Sequence, residues 1–240
     1  EHLRFRKNMR VSSVATYLNG FRQFCEYLFQ QGIIQYNPVR DVVSYRRPAV
    51  HDQEVLSSEE VKRLLAAVDT SEKRGLRDLL ILKLMVVYGL GEVELVRADV
   101  ADYISSSETG ALRVQGKGRD EKNEVVILQK DMAMLLSRYL AVRSGRNKNQ
   151  PLFMSDGNRT RGMRMTTRGI RDRVNYYFGL AGIKGTHGRN ITPHSLRYAA
   201  AATMAEAGAS AYEIKKRMRF GSLVKAQRYI DRLWRIHSNR

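Results

Sequence analysis

One short block of alternating hydrophobicity, residues 103–128, interrupts a chain otherwise patterned at three- and four-residue steps. Tyr103-Ile104, Ala111-Leu112-Arg113-Val114 and Glu124-Val125-Val126-Ile127-Leu128 read as short strands, with a polar, glycine-containing turn over residues 115–123. On either side the pattern is helical. Val14, Tyr17, Leu18, Phe21, Phe24, Cys25 and Leu28 predict a helix over residues 12–31, with Ser12 or Ser13 as its N-cap, Gly32 as its stop and an Asn37-Pro38 turn after it. Ser57-Ser58-Glu59-Glu60 is a capping box ahead of the stripe Val61, Leu64, Leu65 and Val68. Residues 76–88 are apolar almost all round, which predicts a buried helix ended by Gly89. Helical patterns return near residues 132–142, 167–178, 193–207, 211–217 and 224–236. The fold class is therefore mainly α with a small antiparallel β-sheet. One helix and a turn are too little for a domain, so the first 50 residues read as the tail of a larger helical module.

Charge narrows the partner. The 240 residues carry 42 Lys+Arg against 24 Asp+Glu, a formal net charge of +18. Self-repulsion on that scale disfavours a compact state, so a polyanion is expected, nucleic acid ahead of a membrane surface. The basic residues cluster. Arg143, Arg146, Lys148, Arg159, Arg161, Arg164, Arg168, Arg171 and Arg173 face only Asp156 and Asp172 between residues 143 and 173. Lys215, Lys216, Arg217, Arg219, Lys225 and Arg228 form a second group. Thr166-Thr167 opens a helix carrying Arg168 and Arg171 near its N-terminus, which suits a phosphate backbone. No apolar run reaches the roughly 18 residues of a spanning helix. The lone Cys25 rules out an internal disulfide and a cysteine zinc site, and fits a reducing, cytoplasmic setting.

Three features carry chemistry. His194-Ser195-Leu196-Arg197 opens a helix after Thr192-Pro193, with His194 and Arg197 on one face near a positive helix end. That pairs a proton-transfer group with an anion clamp. Lys117 lies in Gln115-Gly116-Lys117-Gly118 at the hairpin turn, and Tyr229 lies late in the last helical stretch. Each alone has a bland reading: a capped histidine, a turn lysine, a core tyrosine. Gly89-Leu90-Gly91 and Gly116-Lys117-Gly118 are fragments of phosphate loops without the full strand-to-helix spacing, which argues against an NAD or ATP enzyme. His187 reads as a loop residue, Cys25 as core and Trp234 as packing.

The order and spacing of these features together resemble the tyrosine recombinase/integrase family, the lambda-integrase-like enzymes of phages and mobile elements. Tyr88-Gly89-Leu90 with Glu94-Leu95 is similar to its first catalytic box, residues 115–119 to its hairpin lysine motif, Thr192-Pro193-His194-Ser195-Leu196-Arg197 to its His-x-x-Arg box, and residues 218–229 to its final box. Pro151-Leu152-Phe153 resembles the introduction to the helix that lies against DNA in the family. The resemblance divides the chain into the C-terminal part of a helical, SAM-like core-binding domain (1–47), a linker (48–56) and a catalytic domain (57–240). It makes Tyr229 the nucleophile, Lys117 the general acid, Arg197 the phosphate clamp and His194 an acid/base. It implies double-stranded DNA as substrate, held at an inverted-repeat core site by Arg119, Arg164, Arg168, Arg171, Arg46 and Arg47. It implies no cofactor and no metal, a nucleoid-associated prokaryotic protein, and assembly as a dimer or tetramer, with a related recombinase as a further partner. The stretch after Tyr229, with Leu233, Trp234 and Ile236, either docks on a neighbouring protomer or packs on its own domain.

Two positions depart from the family pattern. Gly91 stands where the first box has its arginine, and Phe220 stands nine residues before Tyr229, where the family has His or Trp. Loss of one oriented charged donor in a closed site costs about 3–4 kcal/mol, roughly 10²–10³ in rate. Phe220 packs like Trp but donates no hydrogen bond. Two functions therefore stay open: a recombinase, impaired or rescued by another basic residue such as Arg219 or Arg97, and a catalytically degenerate protein acting through DNA binding or as partner of an active relative. Relaxation of DNA in the manner of a type IB topoisomerase is a third.

Overall fold

In a computed structural model the chain forms two compact units, Glu1–Asp52 and Gln53–Arg240. The structure describes residues 8–43, 54–106, 109–116, 118–143, 147–184 and 189–238, with side chains as far as residue 231.

Within the described residues of the first unit, α1 spans Val11–Gln30. Its N-cap is Arg10, whose carbonyl accepts from Ser13 and Val14, so Ser12 and Ser13 lie inside the helix rather than capping it. Gly32, at φ +71°, and the bond from Ile33 N–H to the Leu28 carbonyl close its C-terminus. Arg22 then holds the returning chain through the carbonyls of Val39 and Val42. The periodic stripe sets the helix but not full burial. Val14, Ala15 and Cys25 are buried, whereas Tyr17, Phe21 and Phe24 are exposed. One helix and a return segment offer too little surface to cover a full apolar stripe.

The second unit begins with α2 (Ser58–Ala66), and the expected capping box is formed: Ser57 Oγ accepts from Glu60 N–H while the Glu60 carboxylate accepts from Ser57 N–H. The next helix, α3 (Lys73–Val86), stops two residues short of the apolar pattern, and Gly89 turns the chain at φ +63°. A short helix absent from the sequence reading follows, α4 (Glu92–Arg97). Strands β1 (Tyr103–Ser105), β2 (Gly110–Val114) and β3 (Glu124–Leu128) form an antiparallel sheet in sequence order. Leu112 pairs with both Tyr103 and Val126. Leu112, Val114, Val126 and Leu128 face the core, and Ile104, Val125 and Ile127 face out, as a one-sided sheet requires. Helices α5 (Lys130–Val142), α6 (Thr167–Leu180), α7 (His194–Glu206), α8 (Ala211–Met218) and α9 (Leu223–Ser238) complete the unit.

Pro151-Leu152-Phe153 does not lead directly into a helix: Pro151 bridges Asp99, Leu152 and Phe153 are core, and α6 starts only at Thr167. The interior of α3 also carries a polar pair. Asp78 is 1% exposed and accepts from Arg77, Arg173 and Tyr177, joining α3 to α6. Arg173 is thus half-buried on an interior carboxylate, and Arg143 is buried, donating to the carbonyls of Pro151 and Leu152.

Two apolar clusters share α7. Its first half, Leu196 and Ala199, belongs to a large core with α2–α6 and the sheet. Its second half, Ala200 and Ala201, packs with Ile214, Met218 and Ala226 of α8 and α9. The residues of interest lie where these clusters meet.

Candidate active site

Glu94 organises the site. It is the third residue of α4, and its carboxylate reaches back to accept Gly91 N–H at 2.7 Å, capping the helix start. The same carboxylate accepts from Arg197 Nη1 at 2.8 Å and from Arg219 Nε at 2.6 Å. The Glu94 side chain is only 4% exposed. Burial works to raise its pKa, but the charge and hydrogen bond of Arg219, the charge of Arg197 and the Gly91 N–H together hold the carboxyl below its usual range. The group is a carboxylate with two guanidinium partners.

Arg197 projects from the first turn of α7. Pro193 opens that helix without its own N–H, and Ser195 Oγ accepts from Thr192 N–H. Besides Glu94, Arg197 donates to the Met218 carbonyl, and its guanidinium lies 5.4 Å from the Phe220 ring centre. Burial lowers its pKa, Glu94 opposes that, and the like charge of Arg219 adds to it. Arg219 is the C-cap of α8, in left-handed backbone at φ +54°, ψ +42°. Its side chain runs under the Gly89 turn and donates to the carbonyls of Gly89 and Arg217. Gly89 admits this packing, because a β-carbon there would lie 2.4 Å from the Met218 sulfur.

Tyr229 sits on α9 between two rings. Phe220 stacks on it with centres 5.5 Å apart at 4°, and Tyr198 lies 5.2 Å away at 39°. Tyr198 in turn meets the exposed His194 edge-on at 4.9 Å. Tyr229 itself is half-buried. His194, Tyr198, Tyr229, Phe220 and Arg197 thus form one chain of contacts, and Gly91 lies beside the Arg197–Glu94 pair.

The hairpin is tied to the same place. Arg97, at the end of α4, donates to the carbonyls of Gly116 and Arg119, which flank the hairpin tip. Lys122 bridges Asp99 and Asp102 at the hairpin base. Burial works against its charge, but the hydrogen bonds it donates to the two carboxylates raise its pKa on balance. Lys117, Arg46 and Arg47 lie outside the described residues.

The expected DNA contacts differ in what they touch. Arg168 is 90% exposed at the start of α6, whose N-cap Thr166 accepts from Gly169 N–H. Arg171, one turn on, pairs with Glu92 at 3.1 Å and so brings that helix end beside α4. Arg119 is exposed on the hairpin. Arg164 is also exposed and bonds the carbonyls of Val96 and Ala98 and the Asp99 carboxylate. Among the described residues no group of three or more His, Cys, Asp or Glu is placed to hold a metal ion. Also among them, no helix is long and apolar enough to cross a membrane.

Sequence reasoning names the box residues but not the side chains they touch. Tyr198 was legible only as i+4 from His194. Arg97 is turned to the hairpin carbonyls, a contact that has no sequence signal.

The geometry has relatives. The phage integrase family pattern matches residues 54–233. A tyrosine recombinase XerC of Pelotomaculum thermopropionicum is 30% identical over 232 residues, covering 93% of this chain and 72% of that protein. Another, from Vibrio vulnificus, is 34% identical over 206 residues, covering 84% and 60%. Among solved structures, XerH site-specific recombinase bound to a palindromic difH substrate, a post-cleavage complex, superposes at TM-score 0.75 with 17% identity, covering 98% of this chain and 69% of that one. A lambda integrase dimer bound to a core site does so at 0.60 with 14% identity, covering 90% and 80%. With three quarters of its length inside that pattern, the chain belongs to the phage integrase family.

Proposed function

We propose that this chain is a site-specific tyrosine recombinase that cleaves and rejoins double-stranded DNA through a covalent 3′-phosphotyrosyl intermediate. The observation that carries the reading is the Arg197–Glu94 pair set beside a half-buried Tyr229 that is fixed between two rings. The Tyr229 hydroxyl attacks the scissile phosphorus and displaces the 5′-oxygen. The phosphodiester energy is kept in the new P–O bond, so rejoining needs no nucleotide cofactor. Arg197 holds the non-bridging oxygens with N–H groups its two described bonds leave over. His194, exposed at the start of α7, assists proton transfer. Lys117 protonates the leaving 5′-oxygen from a hairpin whose flanks Arg97 anchors.

DNA runs across the start of α6, with Arg164, Arg168, Arg171 and the hairpin Arg119 on its phosphates. The first unit is read as part of a helical core-binding domain, with Arg46 and Arg47 at its end. The XerH and lambda integrase complexes support duplex DNA as the partner, and the lambda dimer supports self-association, which we place in the C-terminal segment. A cytoplasmic, nucleoid-associated location follows from that substrate.

The test is covalent trapping on nicked suicide duplexes carrying the inverted repeats that flank the gene. The expected result is a denaturation-resistant adduct, lost in Tyr229→Phe. Specific binding with no adduct would sink the catalytic reading and leave a DNA-binding partner of an active recombinase.

A further inference from the structure

We propose that Arg219 is a positioning residue that supplies, from the end of α8, the second guanidinium of the phosphate site. The inference rests on the recombinase reading and adds the source of the charge that Gly91 lacks.

The argument starts from charge count. A carboxylate as buried as Glu94 must be neutralised in place. Were Arg197 its only partner, the two would form a neutral pair, with nothing net to offer a phosphodiester. Arg219 makes the cluster two guanidiniums on one carboxylate, a net charge of +1. Arg197 then keeps its attraction for an incoming anion.

The second step is position. A β-carbon built on Gly91 lies 3.1 Å from Arg197 Nη1 and 3.5 Å from Glu94 Oε2. A side chain growing from residue 91 would therefore enter at the pair that Arg219 already serves, through Nε on Glu94 Oε1 and Nη2 3.4 Å from Oε2. Positions 91 and 219 are alternative sources of one charge. Arg97, the other basic residue nearby, is turned to the hairpin carbonyls.

The third step is strain. A left-handed conformation disfavours a residue with a β-carbon, and glycine is the usual occupant of such a helix end. Arg219 adopts it with its side chain 7% exposed and hydrogen-bonded to Glu94, Arg217 and Gly89. A surface arginine would not hold that geometry; one pinned by a buried carboxylate does.

The test separates this role from cleavage. In the Tyr229→Phe protein, measure binding to a set of duplexes, each with one neutral methylphosphonate stepped through the inverted repeat. The parent should favour the natural phosphate at the scissile step by roughly tenfold or more. Arg219→Gly, which keeps the left-handed backbone without strain, should erase that preference while melting stays cooperative. Both Arg219→Gly/Gly91→Arg and Arg219→Gly/Glu94→Gln should restore it, since each returns the cluster to +1. Retention of the preference in Arg219→Gly would overturn the proposal. So would a preference that neither second change restores, which would make Arg219 a structural cap, or its absence at every step in the parent. Missing adducts in the Tyr229 protein with the preference intact would sink only the cleavage reading. No DNA binding at all would sink both.

Discussion

Phe220 offers the sharpest test of how the nucleophile is held. Its ring is near-parallel to Tyr229 and under the Arg197 guanidinium, so it touches the attacking group and the clamp at once. An aromatic pair contributes about 0.5–1.5 kcal/mol and a cation–π contact about 0.5–1 kcal/mol, together a factor of roughly 5–70 in any step that needs both aligned. Phe220→Leu keeps most of the apolar packing against Met218, Ala226 and their neighbours but removes the ring. We expect its melting temperature to fall by about 2–10 °C, the shift expected for a loss of about 1–2.5 kcal/mol in a chain this size. We expect its single-turnover cleavage of a nicked suicide duplex to slow by the factor above. Phe220→Trp keeps the stack and regains an N–H donor, and should cleave at least as fast as the parent. A Phe220→Leu protein that cleaves at the parental rate would show that the ring does not position Tyr229, and the stacking argument would be wrong.

Other expectations follow from named contacts. Gly89→Ala meets both the left-handed backbone and the Met218 thioether, so it should destabilise by about 2–4 kcal/mol in chemical denaturation. Asp78→Ala leaves buried Arg77 and half-buried Arg173 without their shared carboxylate and should cost about 3–5 kcal/mol in the same measurement. Glu94, Glu60 and Asp99 all have folded pKa values below their unfolded ones. Their stabilisation is complete above the unfolded values near ~4 and is lost as pH falls through the folded values. Thermal melting between pH 7 and pH 3 should therefore show an acid limb that is shallower in Glu94→Gln. Arg168→Gln removes an exposed cation from the start of α6, and should lower the slope of log binding against log salt by about 0.9 if it neutralises one phosphate.

Much of the fold could be read from period alone. The strands around Leu112 and Val126 and the helices from residue 130 onward follow the alternation and the three- and four-residue steps, because each buries one continuous face. The Ser57 box was legible because both halves of its reciprocal bond are local. What stayed hidden was non-local. Six residues are too few to show a helical period, so α4 went unread, although it carries Glu94. Arg164 stands out in the sequence as one of a basic cluster, but its bonds to Val96, Ala98 and Asp99, more than sixty residues away, are not legible there. The cap of α1 failed for a simpler reason: Arg10 accepts the first helical bonds through its backbone, and no side chain advertises that.

The same distinction governs how the two departures in the boxes are judged. Read position by position, Gly91 is a lost cation and Phe220 a lost donor. Electrostatics does not register which residue number carries a charge, only where the charge sits. Glu94 meets a guanidinium from α7 and another from the end of α8, and the segment that delivers the second also delivers Phe220 onto Tyr229. Two substitutions in separate boxes therefore act on one carboxylate and one ring stack. They should be coupled, as residues sharing a network are. Restoring Gly91→Arg alone would place three guanidiniums around Glu94 and crowd Arg197. We expect it to melt lower than the parent and to gain little cleavage, whereas in the Arg219→Gly background the same change should raise cleavage by tenfold or more. If the single change were the better enzyme, the site would be short of a charge, and the relocation of that charge to Arg219 would be refuted.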